Sequence, residues 1–586
     1  MKKIYFIAVL TIYCLIAKSQ LLTNYGALVY SSPSSLIKVQ GSVLNKFGAI
    51  EHNGLIIIDS TLINNNSSTI KGNGVYNVYE HWINSGRFIK DTSTVNLDGS
   101  IQQIKGDSIT NFYNLNLLGS GVKEQYINAI VSNKLNLNSN QLATLQDTMF
   151  LLNAANNSLL GNFTFGFEGF ISNLDSGAFV RKTNSVNTYY YPMGSKQGFS
   201  RFRPVNIVPN NNNDNLYSLS FFNFNASINS YSITSKDSII CYLNDKFYHQ
   251  INRIKGNSSA DIEIGYLASV DNHFNSLSNW KTASTIWKDV LNVTEQALGF
   301  YNSNKRNAWA NFSDTSYVLS NLKPASPSII TNSVVCGNYG LTVVTTSFNP
   351  NYSYDWGVND GYFTVNDSTS YNASLTFTNS QNSYVTLNIT DNLSGCSSLN
   401  TIMPILVTPK ITAGFNVLSS KNTVGFPINI NDQSINSVSW FYDFGNSYNS
   451  NIQNPQTSFN LPNEYFITQI VYDQYGCSDT AIKSIFIDAS IVIPEFFSPN
   501  GDGLNDYFEI KGISAFPNNK LEIFNRWGSL VYQKKGYNND WEGKPNVSDA
   551  TGNGLLPTGT YFVVFDYGID FIKPYHGYVE LNYYQY

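Results

Sequence analysis

Near the C-terminal end, the run Pro499-Asn500-Gly501-Asp502-Gly503-Leu504-Asn505-Asp506 sets four oxygen-bearing side chains, Asn500, Asp502, Asn505 and Asp506, around two glycines. Glycines permit a tight loop, and oxygens at this spacing resemble those of calcium loops, although the twelve-residue EF-hand pattern is incomplete. The same spacing suits Asx turns, in which the side-chain oxygens accept N–H groups of the loop itself. Calcium is therefore the only cofactor the sequence admits, and nothing in it requires one. Other catalytic signals are sparse. His52, His81, His249, His273 and His576 have no metal-ligand spacing, and the chain has no Gly-x-Ser-x-Gly elbow, phosphate loop or dinucleotide fingerprint. No catalytic residue is assigned and the chain reads as a non-enzyme. The alternative is a glycan-cleaving carboxylate pair on the N-terminal repeats.

The elements that must position these residues are strands. Charged residues are 13% of the chain, about half the usual share, so solvation falls to neutral polar groups, with about 80 Asn among them. That composition suits turns and disfavours helices. A net charge of -5 without basic clusters argues against a nucleic-acid partner. A hydrophobic share of 42% can bury a real core, so disorder is not expected.

Residues 1–19 open Met1-Lys2-Lys3, continue apolar over 4–16 and end Ala17-Lys18-Ser19, the order of a cleavable secretory signal. The apolar stretch is shorter than the roughly 20 residues of a membrane span. Tyr13 is too bulky before Cys14 for a lipoprotein signal, and the mature chain is expected to have no transmembrane segment.

The fold class expected is all-β, with N-terminal β-solenoid-like repeats followed by a string of immunoglobulin- and PKD-like β-sandwiches. Over residues 20–175, short β-prone runs such as Leu55-Ile56-Ile57-Ile58 alternate with turns such as His52-Asn53-Gly54 and Asn84-Ser85-Gly86. Recurrence of Asn in turns roughly 12 to 25 residues apart fits stacked rungs, the alternative being a large antiparallel sandwich. Residues 176–323 read as a β-sandwich whose Trp280, Trp287 and Trp309 serve the core rather than a sugar platform. In residues 324–408 the order Cys336, Trp356, Cys396 suits an immunoglobulin-like sandwich with a Cys336–Cys396 bridge, two buried free thiols being the alternative. Cys241 and Cys477 are left unpaired.

Residues 409–488 resemble the PKD domain through Trp440-Phe441-Tyr442-Asp443-Phe444-Gly445-Asn446, Asn454-Pro455, Tyr465 and Asp473-Gln474-Tyr475-Gly476. Gly445-Asn446-Ser447 stands where that family has Gly-Asp-Gly, and Asn446 tolerates the positive φ of such a turn. The resemblance implies a spacer or adhesion module.

Residues 489–586 carry the Pro499 to Asp506 loop, then Asn525-Arg526-Trp527-Gly528, Trp541-Glu542-Gly543 and Gly559-Thr560-Tyr561. In this order they resemble the gliding motility-associated C-terminal domain, the type B sorting domain of the type IX secretion system. The resemblance implies recognition by the type IX translocon, passage across the outer membrane of a gliding bacterium, and display or release. Trp527 and Trp541 are expected in the core, and Arg526 at a surface recognised by the translocon, stacked on a ring or capping a strand. An Asp followed by Ser or Thr, then an aliphatic residue, Met or Thr, resembles the O-glycosylation pattern of these bacteria at Ser60, Ser108, Thr148, Ser238, Ser368 and Thr480. The expected role is an adhesin-like binding or structural protein with a glycan, a surface or another protein as ligand; the alternative is an exported glycan-active enzyme.

Overall fold

The computed structural model describes residues 21–337, 340–358, 363–366, 370–377, 382–420, 422–488, 491–547, 554–570 and 572–583. The expected leader, residues 1–19, and Ser368 lie outside them.

Many short runs of residues 21–175 alternate an inward aliphatic or Asn with an outward polar residue, as in Thr94–Leu97, where Val95 and Leu97 are buried, while Leu55–Ile58 is apolar on both faces with Ile56 and Ile58 buried. Such runs bury a row only by stacking on neighbours, and they stack in parallel. Leu22 lies beside Val43, Val43 beside Leu62, Leu62 beside Trp82 and Trp82 beside Ile104. One wall of this solenoid has eight strands, from Leu22–Asn24 to Phe170–Ser172, and a second has four, from Leu28–Ser31 to Arg87–Phe88. The third wall starts at Leu36–Val39 and does not stop at the solenoid's end.

Its strand Ala178–Thr183 pairs antiparallel with Asn215–Phe222, which continues to Tyr248–Lys255, Ser316–Leu322, Ser276–Lys281 and Ile286–Asp289. One sheet therefore crosses residue 176, and one apolar core runs from Val39 to Leu319. A second sheet, Tyr189–Tyr191, Val205–Pro209, Ala260–Tyr266, Tyr301–Trp309 and Val293–Leu298, completes the sandwich. At the junction the buried Arg181 donates to the carbonyls of Tyr190 (2.7 Å) and Asn156 (3.1 Å) and lies beside the rings of Tyr189 and Tyr191. Trp280 and Trp287 are buried, and Trp309 is half-buried with its Nε1 donating to the Tyr317 hydroxyl.

Two smaller sandwiches follow, each with its own core. In the first, Val343, Leu375, Leu387 and Ile389 surround Trp356. In the second, Tyr442 and Phe444 pack on Ile428, Ile467 and Ile487. The turn of this second unit takes positive φ at Gly445 (71°) and Ser447 (69°) rather than at Asn446. The C-terminal unit is a five-stranded sheet ordered Phe496–Phe497, Tyr575–Leu581, Gly559–Asp566, Lys520–Phe524, Leu530–Lys535, with its core on one face. No helix among the described residues is long and apolar enough to cross a membrane.

Candidate functional site

The inward rows of the solenoid form its closed interior, and their polar members decide how that interior is satisfied. They hold amides. Asn24 Nδ2 donates to Asn45 Oδ1 (2.9 Å), Asn45 to Asn64 (2.9 Å) and Asn64 to Asn84 (2.8 Å), at chain separations of 21, 19 and 20 residues. Asn84 ends the row on Thr110 Oγ1 at 3.2 Å. Each amide is acceptor to one rung and donor to the next, so a buried column stays satisfied. Outer columns repeat the device at Asn77, Asn96 and Asn116 and at Asn114, Asn133 and Asn153. None of the Asp or Glu residues of 21–175 is among the buried side chains. Burial pushes Asp147 up, and it pushes Lys123, whose ammonium donates to the carbonyls of Gly99 and Ser120, down to about 8.

The C-terminal motifs separate into buried and exposed members. Trp541 is buried against Phe497 and Tyr532, with Nε1 donating to the Lys544 carbonyl. Tyr561 is buried and donates to the Pro557 carbonyl. Asn525 to Gly528 form the turn between Lys520–Phe524 and Leu530–Lys535, where Asn525 Oδ1 accepts from the N–H groups of Trp527 and Ser529 and Gly528 has φ 80°. The core placement expected for Trp527 is overturned: at the tip of this turn its ring is 80% exposed. Arg526 lies 5.4 Å from that ring, and its guanidinium comes 3.2 Å from where a Cβ on Gly559 would stand. Thr560 is exposed beside it.

In the Pro499 to Asp506 loop, Asp506 accepts the N–H of Gly501 on one carboxylate oxygen (2.7 Å) and that of Gly503 on the other (2.8 Å). Asn500 Oδ1 accepts from Asp502, and Asp502 Oδ1 from Leu504. Asn505 takes φ 57°. Both oxygens of Asp506 and one each of Asn500 and Asp502 are thus aimed at the loop's own backbone, and among the described residues no group of three or more His, Cys, Asp or Glu is placed to hold a metal.

The cysteines pair differently from the expected Cys336–Cys396 bridge. Cys241 is bonded to Cys396 (Cα–Cα 5.8 Å) and Cys336 to Cys477 (5.5 Å). An immunoglobulin-type bridge needs one cysteine on each sheet, whereas Val334–Cys336 and Cys396–Ser397 belong to the same sheet, near opposite ends of Asn382–Asp391. Each thiol therefore meets a neighbouring unit. Cys396 meets Ile240–Leu243 of the preceding sandwich, and Cys336 meets the turn before Ser478–Ile487 of the following one. Sequence order carried no signal for this, since the bridges depend on how the units stack.

Beside Cys241, a cavity of about 410 Å³ opens between the second and third units, lined by Tyr242, Asn272, His273, Asn321, Leu393 and Ser394. Its walls are hydroxyl, amide, imidazole, aliphatic and aromatic groups. Of the candidate glycosylation residues, Ser238 and Thr480 are exposed, and Ser60, Ser108 and Thr148 are half-buried. Ser60 and Ser108 spend their hydroxyl hydrogens on Glu80 and the Ser85 carbonyl.

Comparison with known proteins locates one family. Residues 491–581 match the family described as CHU_C Type IX secretion signal domain. No curated protein matches the chain. Among solved structures, the PKD1 domain of the metalloprotease PrtV from Vibrio cholerae is similar at 29% identity over 13% of this chain and 94% of that one, with TM-score 0.12. The PKD1 domain of Vibrio anguillarum Epp gives 20% identity, 14% and 94% coverage and TM-score 0.12. The fibronectin(III)-like modules of Clostridium thermocellum CbhA give 13% identity, 28% and 95% coverage and TM-score 0.19. The chain therefore carries a type IX secretion signal domain at its C-terminal end, and such a signal takes its cargo across the outer membrane to the surface or the medium.

Proposed function

We propose that the chain is a non-catalytic type IX cargo, an adhesin-like binding or structural protein that acts in gliding or surface attachment. The observation that carries this reading is the type IX secretion signal domain at residues 491–581, which follows a solenoid and sandwich units with no recognisable catalytic motif in their sequence. A stiff solenoid continuous with a sandwich, followed by compact sandwich units, suits a protein that presents a surface at a distance. The cleft beside Cys241 supports a neutral glycan as one ligand class, because its walls offer donors and acceptors without net charge around an aromatic ring.

The test has two arms. Deleting residues 491–586 should abolish arrival of the chain at the surface or in the medium while leaving it in the cell; unchanged location would overturn the export reading. The purified full chain should retain glycans in an array without releasing reducing ends from them, and measurable release would replace this reading with that of a glycan-active enzyme.

A further inference from the structure

The two ends of the solenoid are treated differently. At the C-terminal end the third wall continues into the sandwich, and Arg181, Tyr189 and Tyr191 close the core. At the N-terminal end, Leu22–Asn24, Leu28–Ser31 and Leu36–Val39 are each the last strand of their wall among the described residues. Their inward residues Leu22, Val29 and Ile37 are only partly buried, whereas the residues stacked on them, Val43, Ile50 and Ile56, are 1%, 5% and 3% exposed. A solenoid end needs a cover, because its last rung has half its apolar contacts missing.

The edge groups are equally open. Along a parallel strand, successive residues turn their N–H and C=O to opposite neighbours. The carbonyls of Asn24, Ser31, Ser35 and Val39 accept from Lys46, Asn53, Leu55 and Asp59 of the second rung. The intervening backbone groups of Thr23, Leu28, Tyr30, Leu36 and Lys38 therefore face out of the end. Exposed edges are commonly blunted with charge, yet residues 21–45 contain one charged residue, Lys38.

We infer that this open end is an interface between two copies of the chain joined head to head. A two-fold axis perpendicular to the solenoid reverses the sense in which the strands circulate, so every edge meets an antiparallel partner. Placing Leu22–Asn24 on the axis sets Leu28–Ser31 of one copy against Leu36–Val39 of the other. That arrangement covers Leu22, Val29 and Ile37 and keeps Lys38 from facing its own copy. A neutral, self-complementary edge is what a two-fold contact requires.

Sedimentation of the purified chain from Gln20 to Tyr586 should give a monomer–dimer equilibrium in the micromolar range. Amide exchange over residues 22–39 should slow as concentration rises. The double variant Leu28→Lys, Leu36→Lys alters two exposed side chains and should weaken the dimer at least about tenfold with unchanged far-ultraviolet circular dichroism. Tyr30→Pro, which removes an outward N–H from an edge strand, should do the same. A monomer at every concentration up to about 100 µM, well above ordinary dimer constants, would overturn the proposal. So would a dimer that survives both variants, or one that leaves exchange at residues 22–39 unaltered.

Discussion

In residues 21–175 the buried polar groups are amides that bond from rung to rung, and no cysteine occurs there; residues 324–488 hold three of the four cysteines of the described chain and bond all three across unit boundaries. The difference follows from where surface is buried. A rung buries its apolar row only against the next rung, so a column of Asn both satisfies its own polar atoms and fixes register. A closed sandwich buries its core within itself, as around Trp356 and around Tyr442. Among the described residues, a small cluster of Ile411, Val471 and Cys477, with Val334, Cys336, Ala413 and Trp440 packed against it, lies between these two units. A disulfide also crosses each boundary and limits how far neighbouring units can turn.

Reduction should separate the two regions most sharply. Breaking both bridges, or replacing all four cysteines by Ser, should lower the stability of residues 324–408 by about 4 kcal/mol, because that unit is tethered at both ends. The radius of gyration from X-ray scattering should rise while the calorimetric transition of the solenoid stays in place. A solenoid transition that moved equally would dissolve the contrast.

Acid should act through histidine on the solenoid and on the sandwich continuous with it, because residues 324–488 contain no histidine. Burial pushes His249 down to about 4, although its bond to the Arg203 carbonyl opposes the shift, and burial also lowers His52. A histidine kept neutral in the fold contributes stability that is complete above its unfolded pKa near 6.5 and is lost as pH falls from there towards 4. For His249 the loss amounts to about 3 kcal/mol. Urea unfolding of wild type and His249→Gln at pH 7.5 and 4.5 checks this, since the variant should lose much less between the two.

The smallest effect tests the column itself. Asn64→Ala deprives Asn45 of an acceptor and Asn84 of a donor and should cost about 2 kcal/mol. Only the solenoid transition in calorimetry should shift, the disulfide-linked units remaining at their wild-type temperature.

Much of this organisation is legible along the chain. Turns that return with Asn every roughly 12 to 25 residues disclose the rungs, since stacking demands a repeat, and the alternation in Thr94–Leu97 discloses a two-faced wall. Alternation does not tell which Asn faces inward: Asn64 is buried in the column, while Asn77 lies in an outer one. Arg526-Trp527 was legible as a motif, but whether its ring packs or protrudes depends on the hairpin, which places it at the tip. The Cys-Trp-Cys order suggested a bridge within one unit because sequence order carries no information about which sheet each strand joins.

Composition, turn spacing and the separated C-terminal motifs by themselves determined an all-β chain with stacked repeats and an export domain, because these properties depend on local backbone preference and on residues near one another in sequence. Tertiary structure alone decided the partners of Cys241 and Cys477, the passage of one sheet through residue 176 and the exposure of Trp527. Each of these depends on how whole surfaces meet, over chain separations of 155 and 141 residues in the case of the two bridges, and no local preference reaches that far.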